Sequence, residues 1–114
     1  IPPLAHGLGG LAGAVGLCDR TDLVTDLEAG SEIAEALGDR DCLIIRGNGA
    51  IAVGRDLPEA VVRARYLEER SLVGEGIDPG DGWDAATLDP RSRWFEKEKA
   101  RAWAWMRWRY DGDS

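Results

Sequence analysis

The sequence predicts an α/β fold, because two short strands and an amphipathic helix follow one another in its central stretch, Asp41 to Glu69. Residues 42–45 form an apolar run without a polar interruption, which is typical of a strand buried on both faces. A glycine-rich turn and a second apolar run, residues 50–53, come next. From residue 57 onward, apolar side chains recur at helical spacing. These observations predict strand, turn, strand and helix packed as one unit.

The turn between the two strands is Arg46-Gly47-Asn48-Gly49. Asn and Gly both tolerate a positive φ, so Asn48-Gly49 between apolar runs is typical of a β-hairpin. Taken in isolation, the turn favours a purely structural hairpin; the interpretation that it presents a functional side chain comes from a resemblance described below.

The helix after the hairpin has a well-marked start and end. Asp56 can cap it, and Glu59, three residues later, can reach back as in a capping box. Pro58 is tolerated in the first turn, and glycines near residues 74 and 76 predict the end. The predicted buried face carries these apolar residues: Leu57, Val61, Val62, Ala64, Tyr66 and Leu67.

Upstream of this unit, the sequence predicts a strand at residues 14–18, a short extended piece at residues 23–25 and a helix at residues 31–37. Ser31 is the expected cap of that helix and Gly38 its expected stop, with Ile33, Ala34 and Leu37 facing inward. The four glycines in residues 7–13 would either allow a close backbone approach or form a flexible loop.

Downstream, residues 78–82 predict a loop, and Asp89-Pro90 opens a last helix over about residues 91–110. Its apolar residues lie on two sides: Trp94, Trp105 and Trp108 on one, and Trp103, Met106 and Tyr110 on the other. A helix that is apolar on two sides needs two covering surfaces. The chain's own domain and a neighbouring subunit are both candidates for the second surface.

Charge and cysteine content exclude several functional classes. The net charge of −7 and the isoelectric point near 4.6 argue against a nucleic-acid or anionic-membrane partner. Cys18 and Cys42 have no metal-site spacing and are expected to be reduced, buried thiols of a cytoplasmic protein. The only histidine, His6, is either structural or exposed, or it transfers protons near neutral pH.

The segment from Leu43 to Glu69, LIIRGNGAIAVGRDLPEAVVRARYLEE, resembles the second half of the class II aldolase/adducin family. In that family the corresponding turn carries an N-H-G motif whose histidine is a metal ligand, and an L-x-x-A helix follows. Asn48 takes the place of that histidine here, and the resemblance assigns Arg46 and Gly47 to the substrate site. An amide oxygen suits a hard cation but replaces imidazole poorly on zinc.

The resemblance implies a three-layer α/β/α sandwich with a largely antiparallel central sheet, of which only the C-terminal half is represented. Residues 1–76 would form that half domain. Residues 77–114 would be a loop and an aromatic-rich helix that packs on the domain or on a neighbouring subunit. Ile1-Pro2 resembles the joint that follows the family's H-x-H metal motif, so the missing half or a partner chain would supply those ligands.

The resemblance also implies a function. His6 would lie near the family's acid–base tyrosine, and Tyr110 would occupy the place of the C-terminal tyrosine that reaches a neighbouring active site. The expected activity is that of a lyase: aldol cleavage or decarboxylation of a small carboxylated, even aromatic, substrate with a divalent metal (Zn, Mn or Fe). A homo-oligomer is expected. The alternatives are a non-catalytic adducin-like module and one half of a split enzyme.

Overall fold

A three-stranded sheet lies at the centre of the computed structural model, which describes residues 1–4, 7–78 and 81–111. The α/β class predicted from the sequence is confirmed. In chain order the elements are a 3₁₀ helix (Gly7–Ala12), β1 (Val15–Cys18), α1 (Leu27–Leu37), β2 (Cys42–Ile45), β3 (Gly49–Ala52), α2 (Leu57–Gly74), α3 (Ala85–Ser92) and α4 (Phe95–Asp111).

The sheet has the order β1-β2-β3 and combines both kinds of pairing. β1 and β2 are parallel, with Val15 opposite Cys42. β2 and β3 are antiparallel, with Ile45 opposite Gly49, so the predicted hairpin is confirmed. Because β1 and β2 run in the same direction, their carboxyl ends meet at one edge of the sheet, where the hairpin turn also lies.

Helices cover both faces of β2. Cys42 and Ile44 pack against Leu67 of α2, whereas Leu43 and Ile45 pack against Ile33 of α1. Successive side chains of a strand point to opposite faces, so these two clusters lie on opposite sides of the sheet. The prediction that residues 42–45 form a strand buried on both faces is therefore confirmed.

A separate apolar cluster joins the 3₁₀ helix, α2 and α4 through Leu11, Val62 and Ala102. Gly10 makes this contact possible, because a Cβ at its position would overlap the side chains of Phe95 and Leu88. The glycine-rich segment therefore brings backbone close to the C-terminal helices, as the first interpretation of it predicted.

The start of α1 differs from the prediction. The helix begins at Leu27, and Asp26 caps it by accepting a hydrogen bond from the N–H of Ala29 at 2.8 Å. The earlier start buries Ala29, which is why Asp26 rather than Ser31 is the cap. Gly38 ends the helix with a φ of 54°, as predicted.

One detail of the upstream prediction is also wrong. Ala34 is exposed, and Ala36 packs on the sheet in its place. Residues 23–25 belong to no helix or strand, with Leu23 and Val24 exposed, and their predicted extended form stays a prediction.

α2 has the predicted N-cap, but its buried face differs from the predicted one. Asp56 accepts a hydrogen bond from the N–H of Glu59 at 2.9 Å. The Glu59 carboxylate reaches back to the N–H of Arg55, at 3.0 Å, rather than to that of Asp56. Glu59 is buried, whereas Leu57 and Ala64, both predicted to be buried, are exposed.

The single helix predicted over residues 91–110 is two helices. Asp84 caps α3 by accepting from the N–H of Thr87 at 2.8 Å, and α3 contains Pro90. Proline has no N–H to continue the helical hydrogen bonds, and α3 ends two residues later, at Ser92. The chain then turns at residues 93–94 and α4 begins at Phe95.

Both cysteines are free thiols, with Cys42 buried and Cys18 half-buried. Burial is the main reason that the pKa of Cys42 is raised. Within the described ranges, no helix has the length and apolar composition needed to cross a membrane.

Candidate functional site

The edge of the sheet where β1 and β2 end brings two short segments together: the loop of residues 19–22 and the turn of residues 46–48. The N–H of Arg46 donates to the carbonyl of Cys18 at 3.0 Å, which continues the parallel pairing past the last strand residue. Ligands of α/β proteins commonly bind outside the carboxyl ends of parallel strands. We call this region the carboxyl edge.

The turn has a tight backbone. The N–H of Asn48 donates to the carbonyl of Ile45 at 3.0 Å, and Gly47 has a φ of 77°. Gly49 also has a positive φ, whereas none of the described non-glycine residues does. The two glycines thus take the left-handed backbone positions, and Asn48 keeps an ordinary backbone between them.

The side chain of Asn48 is directed at the neighbouring loop. Its amide nitrogen donates to the carbonyl of Thr21 at 3.0 Å and lies 3.5 Å from the carbonyl of Asp22. Because the nitrogen is engaged in this way, the amide oxygen is the atom that Asn48 can offer to a ligand. The residue itself is exposed at the carboxyl edge.

Arg46 lies beside Asn48 and pairs with Asp19 across the edge at 2.7 Å. Both side chains are exposed, so the pair is accessible to solutes and contributes little to stability. A guanidinium has five N–H donors, so Arg46 can hold Asp19 and still bind a second carboxylate. Gly47 contributes only backbone here and leaves the space above the turn open.

Of the remaining predicted site residues, only Tyr110 lies in the described part of the chain, and no contact joins it to this edge. His6 lies outside the described residues. Tyr110 is exposed near the end of α4, where its ring packs edge-on to Trp105 at 6.5 Å and the guanidinium of Arg109 lies 5.5 Å away. Its ring contacts are therefore on its own helix, and its predicted role at a neighbouring active site stays a prediction.

The described residues by themselves do not fit a metal site. Across the described part of the chain, no group of three or more His, Cys, Asp or Glu side chains could hold a metal ion. Asn48 offers a single amide oxygen, whereas zinc in proteins takes three or four ligands, usually nitrogen or sulfur. Any metal at the carboxyl edge would need further ligands from outside the described residues.

A charged network at the opposite end of β2 was not among the predicted site residues. Glu59 is 5% exposed and accepts hydrogen bonds from Lys99 at 2.8 Å and from Arg55 at 2.8 Å, while Arg63 lies 3.1 Å away. Arg63 also pairs with Asp41 at 3.2 Å. We call these five residues the Glu59 network.

The cations of this network determine the ionisation of Glu59. Hydrogen bonds from Lys99 and then from Arg55 lower the pKa of Glu59 from 4.5 to about 2, against the opposing effect of burial. The i,i+4 spacing of Glu59 and Arg63 is visible in the sequence, but Lys99 lies forty positions along the chain and no local pattern links it to Glu59.

Comparison with known proteins adds one match. A sequence model described as the class II aldolase and adducin N-terminal domain matches residues 1–72, which is more than half of the 114 residues. The comparison with curated proteins gives no match. The matched range includes the whole sheet, α1 and nearly all of α2.

Proposed function

The chain belongs to the class II aldolase/adducin family, and we propose that within it the chain is part of a lyase that cleaves a carbon–carbon bond next to a carboxylate or hydroxyl group. The reaction would be decarboxylation or aldol cleavage of a small carboxylated substrate, including an aromatic one. The carboxyl edge would be its active site.

One observation carries this proposal. Asn48, which the resemblance assigns to the family's ligand position, lies on a turn that two glycines shape, and the turn lies at the carboxyl ends of two parallel strands. The hydrogen bonds from its amide nitrogen to residues 21 and 22 orient the amide, which leaves the oxygen for a ligand. Such an arrangement favours a side chain that is oriented toward a ligand over one that only stabilises the hairpin.

Residues of the carboxyl edge would bind the substrate. Arg46 would bind the substrate carboxylate through N–H groups that Asp19 does not use. In decarboxylation, the bond between the carboxyl carbon and its neighbour breaks, carbon dioxide leaves, and the bonding electron pair remains on the neighbouring carbon. That carbon then takes a proton, and His6 or Tyr110 of an adjoining subunit is the proposed donor.

A metal cofactor and a partner chain are also part of the proposal. A divalent metal (Zn, Mn or Fe) would take the Asn48 oxygen as one ligand, and a missing N-terminal half or a separate chain would supply the others. That half would also extend the sheet into a largely antiparallel, three-layer α/β/α sandwich. Because the described residues do not fit a metal by themselves, no step of the reaction is assigned to it.

The test is an assay for carbon dioxide release and aldol cleavage with purified protein, small hydroxy acids and substituted benzoates, with and without added Mn²⁺ or Zn²⁺. We expect turnover, and we expect Arg46→Ala to raise KM more than it lowers kcat, because Arg46 binds the carboxylate in both ground and transition states. Arg93→Ala is the matched control, since Arg93 stacks on Trp94 away from the edge. Absence of turnover on every substrate would contradict the proposal.

A second candidate is a non-catalytic, adducin-like partner module. One observation favours it: the Asn48 amide donates a hydrogen bond from the turn to the 19–22 loop. Asn48 can therefore have a structural role instead of binding a ligand. This candidate predicts no turnover and no bound metal, together with stable binding of another polypeptide. Co-purification of a chain that carries an H-x-H motif would instead indicate a split enzyme.

A further inference from the structure

A groove separate from the carboxyl edge runs between α2, α3, α4 and the 3₁₀ helix. Its volume is about 320 Å³, near the lower end of small-molecule sites. The groove, which we call the aromatic groove, is lined by Leu8, Tyr66, Arg91, Glu98, Arg101, Ala102 and Trp105. None of these residues belongs to the sheet or to the carboxyl edge.

Glu98, one of the residues that line this groove, has a carboxylate oxygen without a hydrogen-bond partner. Both contacts of Arg91 with Glu98, from Nε at 3.0 Å and from Nη2 at 2.7 Å, go to the same oxygen, Oε1. The other oxygen, Oε2, is buried and has no partner among the described residues. A buried carboxylate oxygen without a donor is costly, and a charged donor such as an ammonium group satisfies it best.

Two further polar groups line the groove with no hydrogen-bond partner in the described part of the chain. The guanidinium of Arg101 is exposed and makes no ion pair there. The phenol of Tyr66 makes no side-chain hydrogen bond, and burial together with the carboxylate of Glu69 raises its pKa, so the hydroxyl keeps its proton. An acceptor, a cationic donor and a hydroxyl therefore converge on one space.

The walls of the groove suit a flat ring. Tyr66 and Trp105 contribute aromatic surfaces, and Leu8 and Ala102 contribute aliphatic ones. Trp105 is 47% exposed, which is a large accessible area for an indole. The guanidinium of Arg65 lies 5.9 Å from the centroid of the Trp105 ring, at cation–π distance.

We propose that the aromatic groove binds a free aromatic α-amino acid. Glu98 and Arg101 are three residues apart on α4 and therefore neighbours on its surface. This spacing matches an ammonium and a carboxylate carried by one carbon atom: the ammonium pairs with Oε2 of Glu98 and the carboxylate with Arg101. The ring of the amino acid packs between Tyr66 and Trp105.

Simpler ligands satisfy only part of the groove. An aromatic acid without an amine leaves Oε2 of Glu98 without a donor, and an aromatic amine without a carboxylate leaves Arg101 without a counter-ion. An aliphatic amino acid leaves the two rings exposed. The groove therefore distinguishes four closely related compounds, and this distinction is independent of any lyase activity.

The probe is phenylalanine, whose binding is measured by calorimetry and by Trp fluorescence excited where phenylalanine does not absorb. The comparison compounds are phenethylamine, 3-phenylpropanoate and alanine, which lack the carboxylate, the amine and the ring, respectively. We expect phenylalanine to bind at least about tenfold more tightly than each of them, which corresponds to about 1.4 kcal/mol. Equal binding of any comparison compound, or no binding of phenylalanine up to its solubility limit, overturns the proposal.

Substitutions in the aromatic groove test whether phenylalanine binds there. Trp105→Leu and Arg101→Gln should each weaken phenylalanine binding at least about tenfold, and Arg101 makes no ion pair whose loss would unfold the described chain. Trp108→Leu is the matched control, because Trp108 is 73% exposed on the same helix and does not line the groove. Unchanged affinity in Trp105→Leu and Arg101→Gln, or an equal loss in Trp108→Leu, contradicts this assignment.

Discussion

At the scale of single residues, the side chain with the strongest electrostatic environment is Glu59. It is enclosed by Lys99, Arg55 and Arg63, which belong to two helices and the loop before α2. A buried carboxylate is stable only when charged partners replace its water, and here three of them do. Glu59 therefore holds the start of α2 against α4 through Lys99.

This environment predicts that acid destabilises the protein through Glu59. Its pKa is about 2 in the folded chain and 4.5 in the reference state, so the unfolded chain binds the proton first as the pH falls. The stabilisation is complete above pH 4.5 and is lost as the pH drops from 4.5 toward 2. Urea unfolding across that pH range measures it.

Glu59→Gln is the variant for this prediction, because the amide keeps the shape and removes the charge. We expect it to lower the free energy of unfolding at neutral pH by about 2 kcal/mol, because it weakens the charge-assisted hydrogen bonds from Lys99 and Arg55, while Glu96 remains as a partner of both cations. Its stability should then change less between pH 4.5 and 2 than that of the parent chain. An exposed carboxylate, Glu28, provides the Glu28→Gln control. An unchanged acid profile in Glu59→Gln would show that other carboxylates cause the loss.

At the scale of elements, α1 shows how a cap determines where a helix begins. Asp26 caps the helix five residues before the predicted cap, Ser31, and the additional turn buries Ala29 beneath the helix. We predict that Asp26→Ala lowers the free energy of unfolding by about 1 kcal/mol, with a melting temperature lower by about 4 °C.

Ser31→Ala is the matched control for that prediction. Ser31 lies on the exposed surface of α1, inside the helix, where alanine is the better helix former. Its melting temperature should stay equal to that of the parent chain or rise slightly. A larger loss from Ser31→Ala than from Asp26→Ala would mean that the helix begins where the sequence pattern alone placed it.

Elements with strong local signals were predictable from the sequence. The hairpin, the Asp56 cap and the Gly38 stop depend on neighbouring residues, and all three are confirmed. The burial of Glu59 and the exposure of Leu57 were not predictable, because Lys99, which compensates Glu59, is distant in the chain. Tertiary contacts overrode the helical periodicity at these positions.

The same distinction between local signals and tertiary contacts applies to the predicted site. The position of Asn48 beside the loop after β1 follows from the parallel pairing of β1 and β2, which local patterns do not specify. The division of the last helix at residues 93–94 was missed because Asp89-Pro90 was interpreted as a helix start. The aromatic groove depends on four elements meeting, which no local pattern specifies.

At the scale of the whole molecule, one side of β3 has no strand beside it in the described part of the chain. A groove of about 260 Å³ runs next to this strand, lined mainly by small or apolar side chains: Ile44, Ala50, Ile51, Ala52, Ala64, Leu67, Glu68 and Ser71. An open edge of this kind pairs readily with another strand. We therefore expect the chain to associate, either with a further half or with copies of itself.

The association is measured by sedimentation velocity. We predict a species heavier than the 12.4 kDa of one chain, and we predict that Ala50→Arg shifts it toward that mass by placing a charge in the groove beside β3. Ala86→Arg, on the exposed surface of α3, is the control and should leave the assembly unchanged. A stable monomer in the parent chain contradicts the expectation.

The proposed function depends most on Asn48 as the residue that the carboxyl edge presents to a ligand. The most direct measurement is the metal content of the assembly that includes the chain supplying the other ligands. It is determined by elemental analysis for the parent chain and for Asn48→Ala, with circular dichroism to confirm that both are folded. We predict a stoichiometric divalent metal in the assembly of the parent chain and its loss in that of Asn48→Ala. Equal metal content in the two assemblies, or none in that of the parent chain, would contradict the proposed function.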